Sequence, residues 1–493
     1  MRPRLLLIGL IASLALVAAG CGSGASSSSS ASESAASIVS SNAVAFARID
    51  SDLGSDQWKK LGALADKFPG RDEALSKIHD ELTEYGVNFA VDVLPALGPE
   101  VDVAVVAGSN ADQHSVALFT KPDDPDKFKQ LIAKLNANEN TTEEVVYREV
   151  DGWYAVSHSQ TALDRVLKGS GSSLAGEGSF GEAFAQLPDD ALVTAYVNGK
   201  EIGEAIRAAS QGKGTQVNPS TLGLDKLDFV SAALRAEDDG VRLEGAAKGE
   251  GVKTLGGGDF TSTLLGGVPS DALAFLTLRG GDTTDQLKQL ESNPEFRRGL
   301  DQLQATLGVS LDELLGLLHN EVGLYVRPGA GIPELTLALE TKDEAATLRT
   351  LDKLAARLAI LSGGKVSTEQ QAGHTVKTVD LGRFAVHYGA VDGKVVITSG
   401  VAGIAEYGGS GEKLPDSADF KEAKSAAGMP DANGGFVYVD LKNAIPLIEG
   451  LVGLAGQSPP ADVTENLRPL RAILAWSAGS GDLRTFDAFL EIK

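Results

Sequence analysis

Residues able to do chemistry are few in this chain and far apart. Cys21 is the one thiol in 493 residues, and it stands where an apolar run gives way to a serine tract. The six histidines, His79, His114, His158, His319, His374 and His387, are scattered, with no two spaced three to five residues apart on an expected helix. Zinc coordination by such a set is not expected. The chain holds no G-x-x-x-x-G-K-[ST], no G-x-S-x-G and no H-E-x-x-H, so phosphate-loop, nucleophile-elbow and zincin chemistry lack their sequence marks. The Gly/Ser clusters "GSGSSLAGEGS" and "GGSGEK" read as loops. In "DSDLGSD" (50–56) the acids alternate as in a calcium loop, but Ser55 and Leu61 occupy the sixth and twelfth positions, where glycine and glutamate are needed. A turn and helix cap is the expected use of that stretch. No cofactor or metal is expected.

The surroundings of Cys21 say more than the thiol itself. Arg2 and Arg4 are followed by Leu5 to Ala19, an almost unbroken apolar stretch of 15 residues and the layout of a secretory signal. A spanning helix needs about 20 apolar residues, and this run stops at Gly20-Cys21. Val17-Ala18-Ala19-Gly20-Cys21 resembles the lipobox of bacterial lipoproteins, with Ala18 where leucine is usual. The resemblance implies cleavage after Gly20, a diacylglycerol thioether on Cys21 and a body on the extracytoplasmic face of the cell membrane. Two acyl chains hold a protein firmly where one holds it marginally. Residues 21–37 read as a flexible Ser/Gly/Ala tether spanning roughly 20 to 24 Å.

Composition narrows the partners. Loss of Met1–Gly20 removes two arginines and no acids, moving the net charge from −23 to −25. Nucleic acid and anionic headgroups are repelled by such a surface, so the membrane is expected as a partner through the lipid alone. About 455 residues beyond the tether are too many for one core.

Internal repetition supplies the architecture. "YGVNFAVDVLPALGPEVDVAVVAG" (85–108) answers "LGVSLDELLGLLHNEVGLYVRPG" (307–329), and "LFTKPDDPDKFKQLIAKL" (118–135) answers "LETKDEAATLRTLDKLAARL" (339–358). After a shift of about twenty residues, "EVDGWYAVSHS" (149–159) pairs with "AVDGKVVITSG" (390–400), and the helix and strand at 180–202 pair with those at 420–445. Both copies close on a hairpin, at 230–250 and 472–493. The chain is read as a tandem duplication, 38–250 and 262–493, joined by a linker at 251–261. Phe46 is expected to match Phe275, and Tyr196 to match Tyr438.

Each copy opens on a short strand, then gives helices, paired strands with a tight turn at Asp151-Gly152, a helix capped near Asp124, and the closing hairpin. Hairpin-joined strands imply antiparallel sheets, and the helices must cover one face. The expected class is α+β: two tandem similar lobes, each an antiparallel sheet covered by helices. "NAVAFARIDSD", "FKQLIAKL" after a proline-rich turn, and "SFGEAFAQLP" before "ALVTAYVN" resemble the domain of unknown function 3352 family of secreted and lipid-anchored bacterial proteins. That resemblance implies fold and location, and no activity.

Two functions fit: a non-catalytic envelope protein binding a protein partner or an apolar ligand, and a secreted hydrolase whose Ser, Asp and Tyr residues are dispersed in sequence. The copies differ where the first would act. "GKEIGEAIRAASQGKG" (199–214) is mixed and charged, whereas "KNAIPLIEGLVGLAGQ" (442–457) is apolar around most of its circumference. Ile445, Leu447, Ile448, Leu451, Val452 and Leu454 need a cover. Either the other lobe or the segment "SPPADVTENLRPL" supplies it, or Ile448, Leu451 and Val452 line a groove for a lipid.

Overall fold

A pair of aromatic side chains organises each half. Phe46 lies on β1 (Ala43–Asp50), directly opposite Tyr196 on β6 (Val193–Asn198), and both are fully buried. Phe275 on β10 (Ala274–Arg279) faces Tyr438 on β18 (Gly435–Asp440) in the same way. An edge-on ring completes each cluster: Phe180 meets Tyr196 with centroids 5.2 Å apart, and Phe420 meets Tyr438 at 5.0 Å. The two matched pairs therefore occupy equivalent core positions.

The computed structural model describes residues 34–108, 114–137, 144–211, 226–252, 258–280, 294–329, 331–382, 384–454, 456 and 459–493. They form two units. The first takes the chain to Val252 together with Ala461–Pro469 and Ile492–Lys493, and the second takes Lys253–Pro460 and Leu470–Glu491.

In the first unit the remaining strands are β2 (Glu100–Val106), β3 (Ser115–Thr120), β4 (Val146–Val150), β5 (Trp153–Ser157), β7 (Leu227–Glu237) and β8 (Gly240–Gly249). They hydrogen-bond in the order β4-β5-β3-β2-β1-β6-β7-β8, antiparallel throughout. Asp151 (φ 52°) and Gly152 (φ 81°) make the β4–β5 turn in the left-handed region that a two-residue hairpin demands. Asp124 caps the helix Pro125–Asn136, accepting from the amides of Asp126 and Lys127 at 3.0 and 3.3 Å. Phe128, Leu131, Ile132 and Leu135 of that helix are buried against Tyr154 and Val156 of β5.

The second unit begins with β9 (Phe260–Thr261). It continues through β11 (Glu321–Arg327), β12 (Glu334–Glu340), β13 (Lys365–Gln371), β14 (His374–Asp380), β15 (Ala385–Val391) and β16 (Lys394–Thr398), and closes with β17 (Ala432–Asn433), β19 (Leu470–Ala478) and β20 (Leu483–Ile492). β9 and β17 pair with each other. The main order is β13-β14-β15-β16-β12-β11-β10-β18-β19-β20. β15 and β16 stand where β4 and β5 stand in the first unit, and Asp392-Gly393 repeats the positive-φ turn. The hairpin β13–β14 has no counterpart among the described residues of the first unit and accounts for the shift of about twenty residues.

Two features depart from the sequence reading. Ser34, Ala35 and Ala36 do not belong to a loose tether: all three are fully buried, Ala35–Ser37 forms a 3-10 turn, and the Ala35 amide donates to Asp102 Oδ2 at 2.9 Å. Small side chains let this backbone approach the sheet, and the carboxylate supplies the partner that a buried amide requires. The segment 461–469, expected to pack within the second repeat, is placed elsewhere. It belongs to the first unit, where Asn466 Oδ1 accepts from the Gly70 amide at 2.6 Å, and any Cβ on Gly70 would collide with that side chain.

Candidate functional site

Cys21 and Gly20 lie outside the described residues. The chain is first described at Ser34, where the entry segment is fastened to the first unit by its own hydrogen bonds. Besides the Ala35–Asp102 bond, Lys168 Nζ donates to the Ser37 carbonyl at 2.7 Å, and the Lys168 amide donates to Ile38 at 2.9 Å. Asp102 is fully buried, and burial, reinforced by the neighbouring Glu100 charge, pushes its carboxyl well above the ordinary carboxylate range. Arg48 lies 3.3 Å from Glu100 and 4.0 Å from Asp102, with its guanidinium 5.2 Å from the Phe184 ring centre.

Arg48 and Glu100 also line a cleft of about 1270 Å³, whose walls include Asp50, Lys60, Lys121 and Trp153. Asp50 accepts from Ser55 Oγ at 2.6 Å and from the Asp52 amide at 2.9 Å, while Ser55 caps the helix Asp56–Ala65. "DSDLGSD" is thus a turn and cap. Burial raises the Asp50 carboxyl, an effect its Ser55 and Asp52 hydrogen bonds oppose. Sequence reasoning passed over this cleft. The buried Asp102 behind it did leave a signal, its phase: Asp102, Ala104 and Val106 share one strand face, so a charge stood in register with buried apolar positions.

The apolar helix of the second unit is Leu441–Leu454. Asp440 starts it, accepting from the Asn443 amide at 3.0 Å, as Asn198 accepts from Glu201 at 3.2 Å in the first unit. The helix rests on β18 and β19, yet none of its side chains is buried. Leu441, Ala444, Ile445, Leu447, Glu449, Leu451 and Val452 are half-buried, a broad face centred on the side that three- and four-residue spacing turns toward the sheet. Ile448, which that spacing places on the same side as these residues, is 57% exposed, and Leu454, about 120° further round the helix, is 83% exposed. From Pro446 to Leu454 every exposed position, Pro446, Ile448, Gly450, Gly453 and Leu454, is uncharged. The three residues expected to line a groove therefore divide: Ile448 faces water, whereas Leu451 and Val452 are half-buried.

This exposure belongs to one unit. Of the sixteen exposed large hydrophobic residues among those described, twelve lie on the second unit.

One hydroxyl stands beside an imidazole. Thr378 Oγ1 and His387 Nδ1 are 2.8 Å apart, but they are cross-strand neighbours on β14 and β15, and no carboxylate orients the other ring nitrogen. A nucleophile–base–orienter set is not assembled there. The spacing Gly176-x-Gly178-x-x-Gly181 matches a dinucleotide turn on paper, but the helix Gly178–Phe184 buries Phe180 in the core and no strand leads into the turn. Among the described residues no group of three or more His, Cys, Asp or Glu could hold a metal ion, and no helix is long and apolar enough to cross a membrane.

Comparison with curated proteins finds none that matches the chain. Among solved structures, crystal form IV of TP0453 is similar at 12% identity and a TM-score of 0.24, covering 47% of this chain and 94% of that one. Crystal form III of TP0453 gives 11%, 0.23, 47% and 95%. The family model DUF3352, described as a protein of unknown function, matches twice, over residues 4–161 and 155–492. With these matches running along nearly all of its length, the chain belongs to the DUF3352 family.

Proposed function

We propose that this protein is a lipoprotein of the bacterial envelope, held at the extracytoplasmic face of the cell membrane through Cys21, and that it binds apolar lipid through its second unit without catalysis. The observation that carries the binding role is the helix Leu441–Leu454, which leaves Ile448 and Leu454 in water. Taking two exposed aliphatic side chains out of water is favourable, by about 25 cal/mol for each Å² of apolar surface buried. The address is supported by the apolar run Leu5–Ala19, the lipobox-like Val17-Ala18-Ala19-Gly20-Cys21 and the serine tract beyond it.

Purification of the mature protein from membranes, organic extraction and mass spectrometry test the reading. Acylated Cys21 and a stoichiometric co-purifying lipid are expected. Leu451→Glu is expected to abolish lipid recovery while the first unit stays folded, and Ile448→Glu, at an exposed position, gives the same loss with less risk to the fold. Wild-type protein that yields neither acyl chain nor lipid would overturn the proposal. Recovery of a stoichiometric envelope protein in place of lipid would move the binding role to a protein partner.

A further inference from the structure

We infer that the helix Gly403–Gly408 of the second unit is a lid over a buried imidazole, and that it lifts when His387 takes up a proton. Register places Thr378 on β14, His387 on β15, Thr398 on β16, Thr336 on β12 and Tyr325 on β11 in one polar row across the sheet. In the first unit Val146, Ser157, Ala117 and Ala104 hold the positions of His387, Thr398, Thr336 and Tyr325, so the imidazole belongs to one copy. The ring is 5% exposed, with Nδ1 2.8 Å from Thr378 Oγ1 and Nε2 buried without a partner. A neutral ring tolerates one idle nitrogen. An imidazolium carries a proton on both, and Nε2–H would then be a buried charged donor with nothing to accept from it. On this face of the sheet and on the helix over it, the charged and titratable groups are Lys365 and Glu369 of β13, His374 and Asp380 of β14, Lys394 of β16, Glu334 of β12 and Glu406 of the helix. None of them forms an ion pair with His387. Burial holds the ring below the ordinary histidine range, against the opposing pull of Glu369 and Glu334.

The helix is fastened at one end only. It packs on β14, β15 and β16. Ile404 is fully buried, its Cδ1 3.4 Å from where a Cβ on Gly389 would lie, two residues along β15 from His387. At the first turn a Cβ on Gly403 would come within 2.4 Å of Thr398 Oγ1, the hydroxyl on the residue opposite His387. This end has no side-chain cap, and glycines stand at 400 and 403. The far end is clamped. Lys413 Nζ donates to the Glu406 and Tyr407 carbonyls at 2.8 and 3.0 Å, Tyr407 Oη donates to the Leu264 carbonyl at 3.2 Å, and Arg327 pairs with Glu406. Lifting the free turn admits water to the imidazole and brings Ile404 out of the core. Because the closed form binds the proton less tightly than the open one, the lid is shut above the ordinary histidine value of about 6.5. Below it, opening grows by up to about tenfold per pH unit until the closed form also takes the proton.

Amide hydrogen exchange of the full chain, followed by mass spectrometry from about pH 8 to about pH 5, tests the inference. Rates are divided by those of an unprotected amide at each pH. Over Gly403–Gly408 protection is expected to fall by up to about tenfold per pH unit below about 6.5, while β10 and β11 keep theirs. His387→Val, which installs the first unit's residue, is expected to remove the pH dependence. His387→Gln, which keeps a polar group beside Thr378, is expected to do the same. His374→Gln should leave the wild-type slope unchanged. Gly403→Ala sets a methyl group against Thr398 and is expected to lower protection of the helix at about pH 8 to the level the wild type reaches near about pH 5. The inference is overturned by a slope that persists without His387, by one that vanishes in His374→Gln, or by one that β10 and β11 share. Unaltered protection in Gly403→Ala overturns it as well.

Discussion

The two units solve one problem with different chemistry. Each must fasten the segment that leads into its first strand, and each does so with an acid on the neighbouring strand. In the first unit Arg48 opposes Asp102 and Asp50 opposes Glu100; in the second, at the same register, Thr277 opposes Gly323 and Arg279 opposes Glu321. Ala35 donates its amide to Asp102, while Glu321 accepts from the Thr263 amide at 2.7 Å, from the Thr263 and Thr277 hydroxyls at 2.9 Å each, and from Ser262. Volume is exchanged as well. Eleven residues before the core phenylalanine the first unit has Ala35 and the second Leu264, and a Cβ on Gly323 would already lie 3.2 Å from Leu264 Cδ1. Small entry residue with large acid has become large entry residue with glycine. The frame therefore does not require the Arg48–Asp102 charges. Their retention beside a cleft in one copy, and the exposure of an apolar helix in the other, are departures from a shared scaffold.

If the frame is shared, truncating its central ring should hurt both copies alike. Phe46→Ala and Phe275→Ala are each expected to cost about 3–5 kcal/mol, with hydrogen-exchange protection lost in the substituted unit. Loss spread equally over both units from one substitution would break the comparison. Next in size is the pin. Glu321→Gln turns an N–H toward donors already aimed at the carboxylate, and about 2–4 kcal/mol of second-unit stability is expected to go. Asp102→Asn keeps an acceptor for Ala35 and adds no charge, so denaturant unfolding of the first unit should shift by less than about 1 kcal/mol. Equal costs at the two positions would show that the pins are not chemically distinct.

The pH response sharpens the same contrast. Asp102 is raised by burial and by Glu100, so the folded state binds its proton more tightly than the unfolded chain, where an aspartate titrates near about 3.9. Between that value and the raised one, first-unit stability is expected to rise as pH falls and to be lost as pH rises through the folded-state value. Asp102→Asn should remove that slope. A thermal midpoint of the first unit that climbs with pH across this window would contradict the assignment. The smallest effect lies in the apolar helix: Gly450→Ala and Gly453→Ala meet open space and should each add about 0.5–1 kcal/mol of helix stability, read as slower amide exchange over Leu441–Leu454.

How far this was legible depended on the range of each interaction. Repeated blocks carried Phe46 onto Phe275 and Tyr196 onto Tyr438 because apolar patterning is local and was copied whole. Asp151-Gly152 and Asp124 spoke for themselves, since turns and caps are made by residues two or three apart. The burial of Ser34–Ala36 was illegible. A serine- and alanine-rich stretch carries no apolar signal, and its partner Asp102 lies 67 residues away. The shift of about twenty residues was visible as an offset, but the polar, exposed β13 "KVSTEQQ" gave no alternation to mark a strand. Placement of 461–469 on the first unit depends on Gly70 and Asn466, 396 residues apart, and no periodicity reports such a contact. The helix 441–454 stood out as apolar all round; which of its residues faced water needed the sheet beneath it.

The proposed function stands most directly on acylation of Cys21. The intact mass of the protein extracted from membranes tests it in one measurement. The account requires a chain beginning at Cys21, heavier than its sequence by a diacylglycerol thioether. A mass equal to the unmodified sequence, with a free thiol at Cys21, would contradict it.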